Sequence, residues 1–111
     1  MTNKVMTPKE AIQQFVHDGD HISLGGFTIV RNPMGLVYEI IRQKIKDLHV
    51  YVHSQGQAFD ILIGAGCVRA MEFAYGGTAR FSPAGGIRFR KAIGQHRLYS
   101  FRAIGRLLML V

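Results

Sequence analysis

Apolar residues along this chain alternate between helical and strand spacing. Ala11, Ile12, Phe15 and Val16 share one helical face. Thr7-Pro8-Lys9-Glu10 stands before them and predicts a helix start. Thr7 can cap, Pro8 suits the first helical position, and Glu10 sits three residues past the cap. Asp18-Gly19-Asp20 ends this helix, with Gly19 free to take positive φ. His21 to Leu24 reads as a short strand that stops at Gly25-Gly26. Asn32-Pro33 opens a second helix by the same cap-then-proline logic. Its apolar stripe is Met34, Val37, Ile41 and Ile45, with Ile40 beside it. Leu48 to Val52 predicts a second strand, broken by Ser54-Gln55-Gly56. Phe59, Ile61, Leu62 and Ile63 fit a short third helix ended by Gly64 and Gly66. Val68 to Tyr75 predicts a third strand, with Met71, Phe73 and Tyr75 on one face, and Gly76-Gly77 ends it. Ser82-Pro83 and Gly85-Gly86 mark turns, and Ile87 to Ile93 suggests a further short helix.

The order αβαβαβ implies right-handed crossovers and an α/β fold. The expected architecture is an open, mostly parallel sheet with helices on both faces. Three strands with three or four helices barely supply that cover, so the fold reads as incomplete. At least one sheet edge stays ready for more strands, which implies a longer natural chain or a tight partner. The 111 residues allow one domain at most. A chain this size buries roughly 65% of its unfolded surface.

Composition narrows the class. Hydrophobic residues make up 48% and charged residues 19%, a globular balance. Cys67 is the one cysteine, which excludes a disulfide framework and a cysteine-rich zinc site. Met1-Thr2-Asn3-Lys4 carries no apolar leader, and no apolar run approaches the ~20 residues of a membrane span. A cytoplasmic location is the resulting expectation. The net charge of +7 is unevenly placed. Residues 1–72 hold seven acids and seven bases; residues 73–111 hold seven bases and no acid. Three readings of that excess stand open: a surface for a polyanion such as nucleic acid, an amphipathic membrane-surface segment, or a truncated or frameshifted end.

Chemistry is sparse. In an open parallel sheet, ligands sit outside the carboxyl ends of the strands. Gly25-Gly26-Phe27 lies at such an end, where glycines let backbone approach a ligand and free N–H groups meet negative charge. The GxGxxG and GK[ST] fingerprints are absent. Spacing alone balances a ligand loop evenly against a plain tight turn. Arg31 in the same loop can clamp a carboxylate or phosphate, with a solvated loop arginine as the plainer reading. His49 and His53 share a strand face, and His17 and His21 are four apart. Neither pair has a clear third ligand, so no metal site is expected. Glu10 is explained by its cap, Glu39 reads as solvated, and Glu72 lies on the third strand. Cys67 reads as a small packed residue. No catalytic residue is legible.

The segments "KVMTPKEAIQQFVHDGDHISLGGF", "RNPMGLVYEIIRQKIKDLHVYVHSQG" and "FDILIGAGCVRAMEFAYGG" resemble the N-terminal part of the alpha subunit of family I CoA-transferases, glutaconate-type enzymes in particular. "IRFRKAI" looks like the next piece of the same pattern, so the resemblance spans residues 4–93. It implies an open α/β fold and a paired beta subunit, with a CoA thioester as substrate and no cofactor. CoA would move from an acyl-CoA to a carboxylic acid through a glutamate of the beta subunit. Gly25, Gly26 and Phe27 would lie at the crevice, with Arg31, Tyr75, Gly76 and Gly77 as further contacts. A hydrolase acting on a CoA thioester is the close variant. Residues 94–111 form an atypical basic and apolar tail that departs from the pattern, which favours a truncated or frameshifted end. A basic nucleic-acid module built on Arg88-Phe89-Arg90-Lys91 and Tyr99-Ser100-Phe101-Arg102 is the rival. An amphipathic helix with solvated arginines is the plainer account of those bases.

Overall fold

The computed structural model describes residues 3–76 and 100–103. The expected helices and strands appear in the expected order. They are α1 (Pro8–Phe15), β1 (His21–Ser23), α2 (Met34–Arg42), β2 (Leu48–Gln55), α3 (Gln57–Gly64) and β3 (Val68–Gly76), followed by β4 (Ser100–Ala103). The strands form one sheet in the order β1-β2-β3-β4, and every pairing is parallel. The α/β class read from the sequence is borne out.

β4 is the addition. The sequence suggests an amphipathic helix for the bases around Ser100–Ala103, yet this segment pairs with Ala70–Phe73 as a fourth parallel strand. Short Tyr-Ser-Phe-Arg alternation suits a strand as well as a helix, and the open edge of β3 decides between them. The expected helix at Ile87–Ile93, the turns at 82–86, Gly77 and the Arg88–Lys91 cluster lie outside the described residues.

α1 begins as its sequence dictates. Thr7 Oγ1 accepts from the Glu10 N–H at 3.2 Å, and Glu10 Oε2 accepts from the Thr7 N–H at 2.9 Å. Of its apolar face, Ile12 is buried and Val16 packs beside the core, but Phe15 is 63% exposed. α1 reaches the core mainly through Ile12, and Phe15, at the helix end, falls outside that contact.

The core lies between the helices and one face of the sheet. Leu48, Val50 and Val52 of β2 and Met71 and Phe73 of β3 join Val37 and Ile40 of α2 and Phe59, Leu62 and Ile63 of α3 in one cluster. Fully burying each of these larger side chains stabilises the fold by about 1.5–3 kcal/mol. With right-handed crossovers, a sheet that steps in one direction carries α2 and α3 on the same face. The opposite face presents His49, Tyr51, His53 and Glu72, none of them buried. Among the described residues, the helices cover that one face. No helix among them is long and apolar enough to cross a membrane.

Glu39 corrects the sequence reading of a solvated position: it is 7% exposed. Gln43 Nε2 donates to its Oε1 at 3.0 Å and Arg42 Nη1 to its Oε2 at 2.8 Å. The same Gln43 nitrogen donates to the Lys9 carbonyl at 3.0 Å, which joins α2 to α1. Gln43 first, and Arg42 after it, hold the Glu39 carboxyl below the usual glutamate range. A depressed native pKa gives stability that is complete above the ordinary glutamate value and lost as pH falls through the native one. Glu39→Gln is therefore expected to flatten the fall in stability below about pH 4.3. Urea denaturation across that range measures it; an unchanged acid-side slope would rule the linkage out.

Candidate functional site

The carboxyl ends of β1, β2 and β3 meet at one rim, and a short loop is built onto it. After β1, Phe27–Val30 forms a tight turn. The Phe27 N–H donates to the Val30 carbonyl at 2.9 Å, and the Val30 N–H returns to Phe27 at 2.7 Å. Gly26 enters this turn at φ +100°, and a Cβ there would stand 2.7 Å from the Arg31 oxygen and 2.8 Å from the Val30 oxygen. Only glycine fits. Thr28 and Arg31 also take positive φ, at 47° and 57°.

β2 runs on to Gln55, past the break expected at Ser54-Gln55-Gly56, because its end is paired on both sides. Ser54 and Gln55 lie opposite Tyr75 and Gly76 of β3. On the other side the Thr28 N–H donates to Ser54 at 2.9 Å, and the Gly56 N–H donates to Thr28 at 3.0 Å. Gln55 is fully buried, and its Nε2 donates to the Gly25 carbonyl, 30 residues away in the chain. One residue thus ties the Gly25 loop to the end of β3.

Asn32 does not cap α2, whose N-cap is Pro33 without a side-chain bond. Its Nδ2 donates back to the Thr28 carbonyl at 3.0 Å and the Val30 carbonyl at 3.2 Å. Its Oδ1 accepts from the Ala58 N–H at 2.9 Å, in the first turn of α3. The cap expected for one helix serves the next, because the turn folds Asn32 back across the loop toward β2.

Of the residues expected at a site, Gly25, Gly26, Phe27 and Arg31 sit in this loop. Tyr75 and Gly76 end β3, and both segments converge on Gln55. Phe27 and Arg31 are exposed. The Phe27 amide is committed to Val30, whereas no described residue accepts from the Gly25 and Gly26 amides. Thr28 Oγ1 and Gln55 Oε1 are buried with no hydrogen-bond partner among the described residues. Each such orphan costs about 1–3 kcal/mol, which a held water or ligand group would remove. Gln55, Thr28 and Asn32 were missed by sequence reasoning; their signal is long-range pairing, which spacing does not carry. No carboxylate stands in residues 25–31 or 75–76. Cys67 is 3% exposed, and burial pushes its thiol pKa up, as suits a packed residue.

The histidine pairs read from spacing are not the ones the fold assembles. His21 stacks on His49, with ring centroids 4.0 Å apart and planes 5° from parallel. Glu72 Oε1 lies 3.4 Å from His49 Nε2. His17 instead faces Asp20 at 3.5 Å, and His53 Nδ1 meets Ser54 Oγ at 2.8 Å.

A family model described as Coenzyme A transferase matches residues 5–105. The chain belongs to the coenzyme A transferase family. The match includes β4. The A-subunit of glutaconate CoA-transferase from Acidaminococcus fermentans is 53% identical over 68 residues, covering 61% of this chain and 21% of that protein. The A-subunit of 3-oxoadipate CoA-transferase from Pseudomonas knackmussii is 45% identical over 74 residues, covering 67% of this chain and 26% of that protein. The crystal structure of the A. fermentans glutaconate enzyme superposes with a TM-score of 0.81 at 40% identity, covering 91% of this chain and 32% of that one. A cysteine-to-serine variant of the decarboxylase AibA/AibB superposes with a TM-score of 0.82 at 27% identity, covering 90% of this chain and 38% of that one. The chain therefore spans about a fifth to a quarter of the length of these curated relatives.

Proposed function

We propose that this CoA-transferase family chain is the N-terminal part of an alpha subunit that helps hold an acyl-CoA thioester while a beta subunit supplies the attacking glutamate. The observation that carries this is the Gln55 junction. It brings Gly25, Gly26, Phe27 and Arg31 to the rim where Tyr75 and Gly76 end β3. The amides of Gly25 and Gly26 suit a thioester oxygen as it gains negative charge. Arg31, exposed at the loop's end, suits the substrate carboxylate. The absence of a carboxylate from residues 25–31 and 75–76 agrees with a nucleophile from a second chain.

In this reading the partner's glutamate attacks the acyl-CoA carbonyl. The C–S bond breaks, giving an acyl-glutamyl anhydride and CoA thiolate. The thiolate then attacks the glutamyl carbonyl, which frees the first acid and leaves a glutamyl-CoA thioester. An acceptor carboxylate takes the CoA by the same two steps in reverse. No resident cofactor is needed, because the CoA thioester is the substrate.

The test is co-purification of this chain with a beta subunit encoded beside it, followed by assay with an acyl-CoA and an acceptor acid. The expected results are a stable complex, acceptor-dependent appearance of the new thioester, and loss of that turnover in Gly26→Ala. CoA release without an acceptor would favour a hydrolase, and carbon dioxide release would favour chemistry like that named for AibA/AibB. Failure to form any complex and to bind acyl-CoA would remove the assignment.

A further inference from the structure

The open face of the sheet gathers three metal-ligating side chains that the CoA reading does not use. His21 opens β1 and is the direct register partner of His49, the second residue of β2. Glu72 of β3 pairs with Tyr51, two residues along from His49 on the same face. One ligand atom from each of His21, His49 and Glu72 lies within 4.8 Å of the others. The His21 and His49 rings stack at 4.0 Å with planes 5° from parallel, so their lone pairs run side by side, and at least one ring must turn for both to meet one ion. A depression of about 250 Å³ opens beside them, lined by His21, Ile22, Ser23 and Tyr51.

We propose that His21, His49 and Glu72 bind a divalent transition-metal ion, with Zn²⁺ as the ion their donor set suits. Two imidazoles and one carboxylate make a three-ligand zinc set that leaves a fourth position for water or a ligand. Zinc bonds of about 2.0–2.2 Å put tetrahedral ligand atoms roughly 3.3 Å apart. Reaching that geometry needs the ligand atoms to draw in from within 4.8 Å and the stacked rings to turn out of parallel, and the side chains are half-buried or exposed enough to do both. The depression lies against His21 and leaves room on that side for a fourth ligand. A plain ion pair accounts for His49 and Glu72 at 3.4 Å, and cross-strand stacking for His21 on His49; the metal reading is the one that uses the ligand atoms of all three together. His21 and His49 lie toward the amino ends of β1 and β2 and Glu72 midway along β3, whereas Gly25 lies beyond the carboxyl end of β1. The bound ion would therefore clamp three strands together rather than enter the thioester chemistry. β4 places Arg102 at the register position beside Glu72, so the carboxylate's share needs its own variant.

The test is calorimetric Zn²⁺ titration of the whole chain, stripped with a chelator and with any purification tag cleaved. The expected result is one Zn²⁺ per chain and a melting temperature raised by the metal. Co²⁺ in place of Zn²⁺ should give the intense visible bands of a four-coordinate site. Second-ligand partners of zinc sites change affinity by roughly 10–100-fold, so removing a direct ligand should exceed about 100-fold. His49→Ala, His21→Asn and Glu72→Gln should each show that loss, while His17→Ala and His53→Ala bind as the parent does. Circular dichroism checks each variant's fold; His21→Asn, at an exposed position, carries the test if His49→Ala unfolds. Zinc affinity unchanged in the three site variants, or lost in His53→Ala instead, overturns the proposal. So does a parent chain that binds no better than the His21→Asn variant.

Discussion

Gly26→Ala is expected to lower the melting temperature by at least about 4 °C and to abolish thioester binding at the rim. Two costs combine. A non-glycine residue at a positive φ outside its favoured wells costs about 1–3 kcal/mol. For a domain of this size each kcal/mol moves the melting temperature by about 4–8 °C. The added Cβ would also stand 2.7, 2.8 and 2.9 Å from Arg31 O, Val30 O and Arg31 C. All three are backbone atoms, so no side-chain rotation relieves the contact. The Phe27–Val30 turn must open, or the loop must lift from Ser54 and Gly56. Gly25→Ala is the matched control. A Cβ at Gly25 meets nothing within 4 Å, so its melting temperature should stay with the parent. Thermal melts of both variants, with titration of an acyl-CoA into the subunit complex, separate the two glycines. Equal melting of Gly26→Ala and the parent would mean the loop takes another conformation in solution.

That contrast marks the limit of what the sequence displayed. Gly25-Gly26 stood out as a strand end, and the order of helices and strands was legible because each segment keeps one period. The capping box at Thr7 was legible for the same reason: its two bonds join residues three apart. What separates Gly26 from Gly25 is contact with Val30 and Arg31, and no local pattern encodes it. Gln55 looked like part of a breaker because a polar residue at a strand end resembles a turn. Its role depends on Gly25 and Gly76, far away in the chain. Glu39 looked solvated because it lies off the apolar stripe. Gln43 and Arg42 bring it out of water by satisfying both oxygens. His21, His49 and Glu72 come from three strands, and their meeting depends on sheet order and register. β4 was hidden because four residues are too few for alternation to separate a strand from a helix, and the edge of β3 decides it.

Asn32→Ala is the second large effect expected, and Asn32→Asp shows which part of Asn32 matters. The Thr28 carbonyl keeps the Gly56 N–H and the Val30 carbonyl keeps the Phe27 N–H after truncation. The unrelieved loss falls on the Ala58 N–H at the start of α3, whose acceptor was Asn32 Oδ1. Leaving a buried donor unpaired costs about 1–3 kcal/mol. Asn32→Ala should therefore lower stability by about 2 kcal/mol, near the middle of that range, and let the loop drift from its place over β2. An aspartate keeps the acceptor for Ala58 and adds charge where a helix N-terminus favours it. It also removes both Nδ2 donors and turns a carboxylate toward the carbonyls of Thr28 and Val30. Asn32→Asp should therefore keep most of the α3 stability yet lose thioester binding as fully as Asn32→Ala. Urea denaturation reads the first quantity, and acyl-CoA titration of the subunit complex reads the second. If aspartate restored both, capping of α3 would be the whole role of Asn32, and the bonds to the loop carbonyls would contribute nothing to the rim.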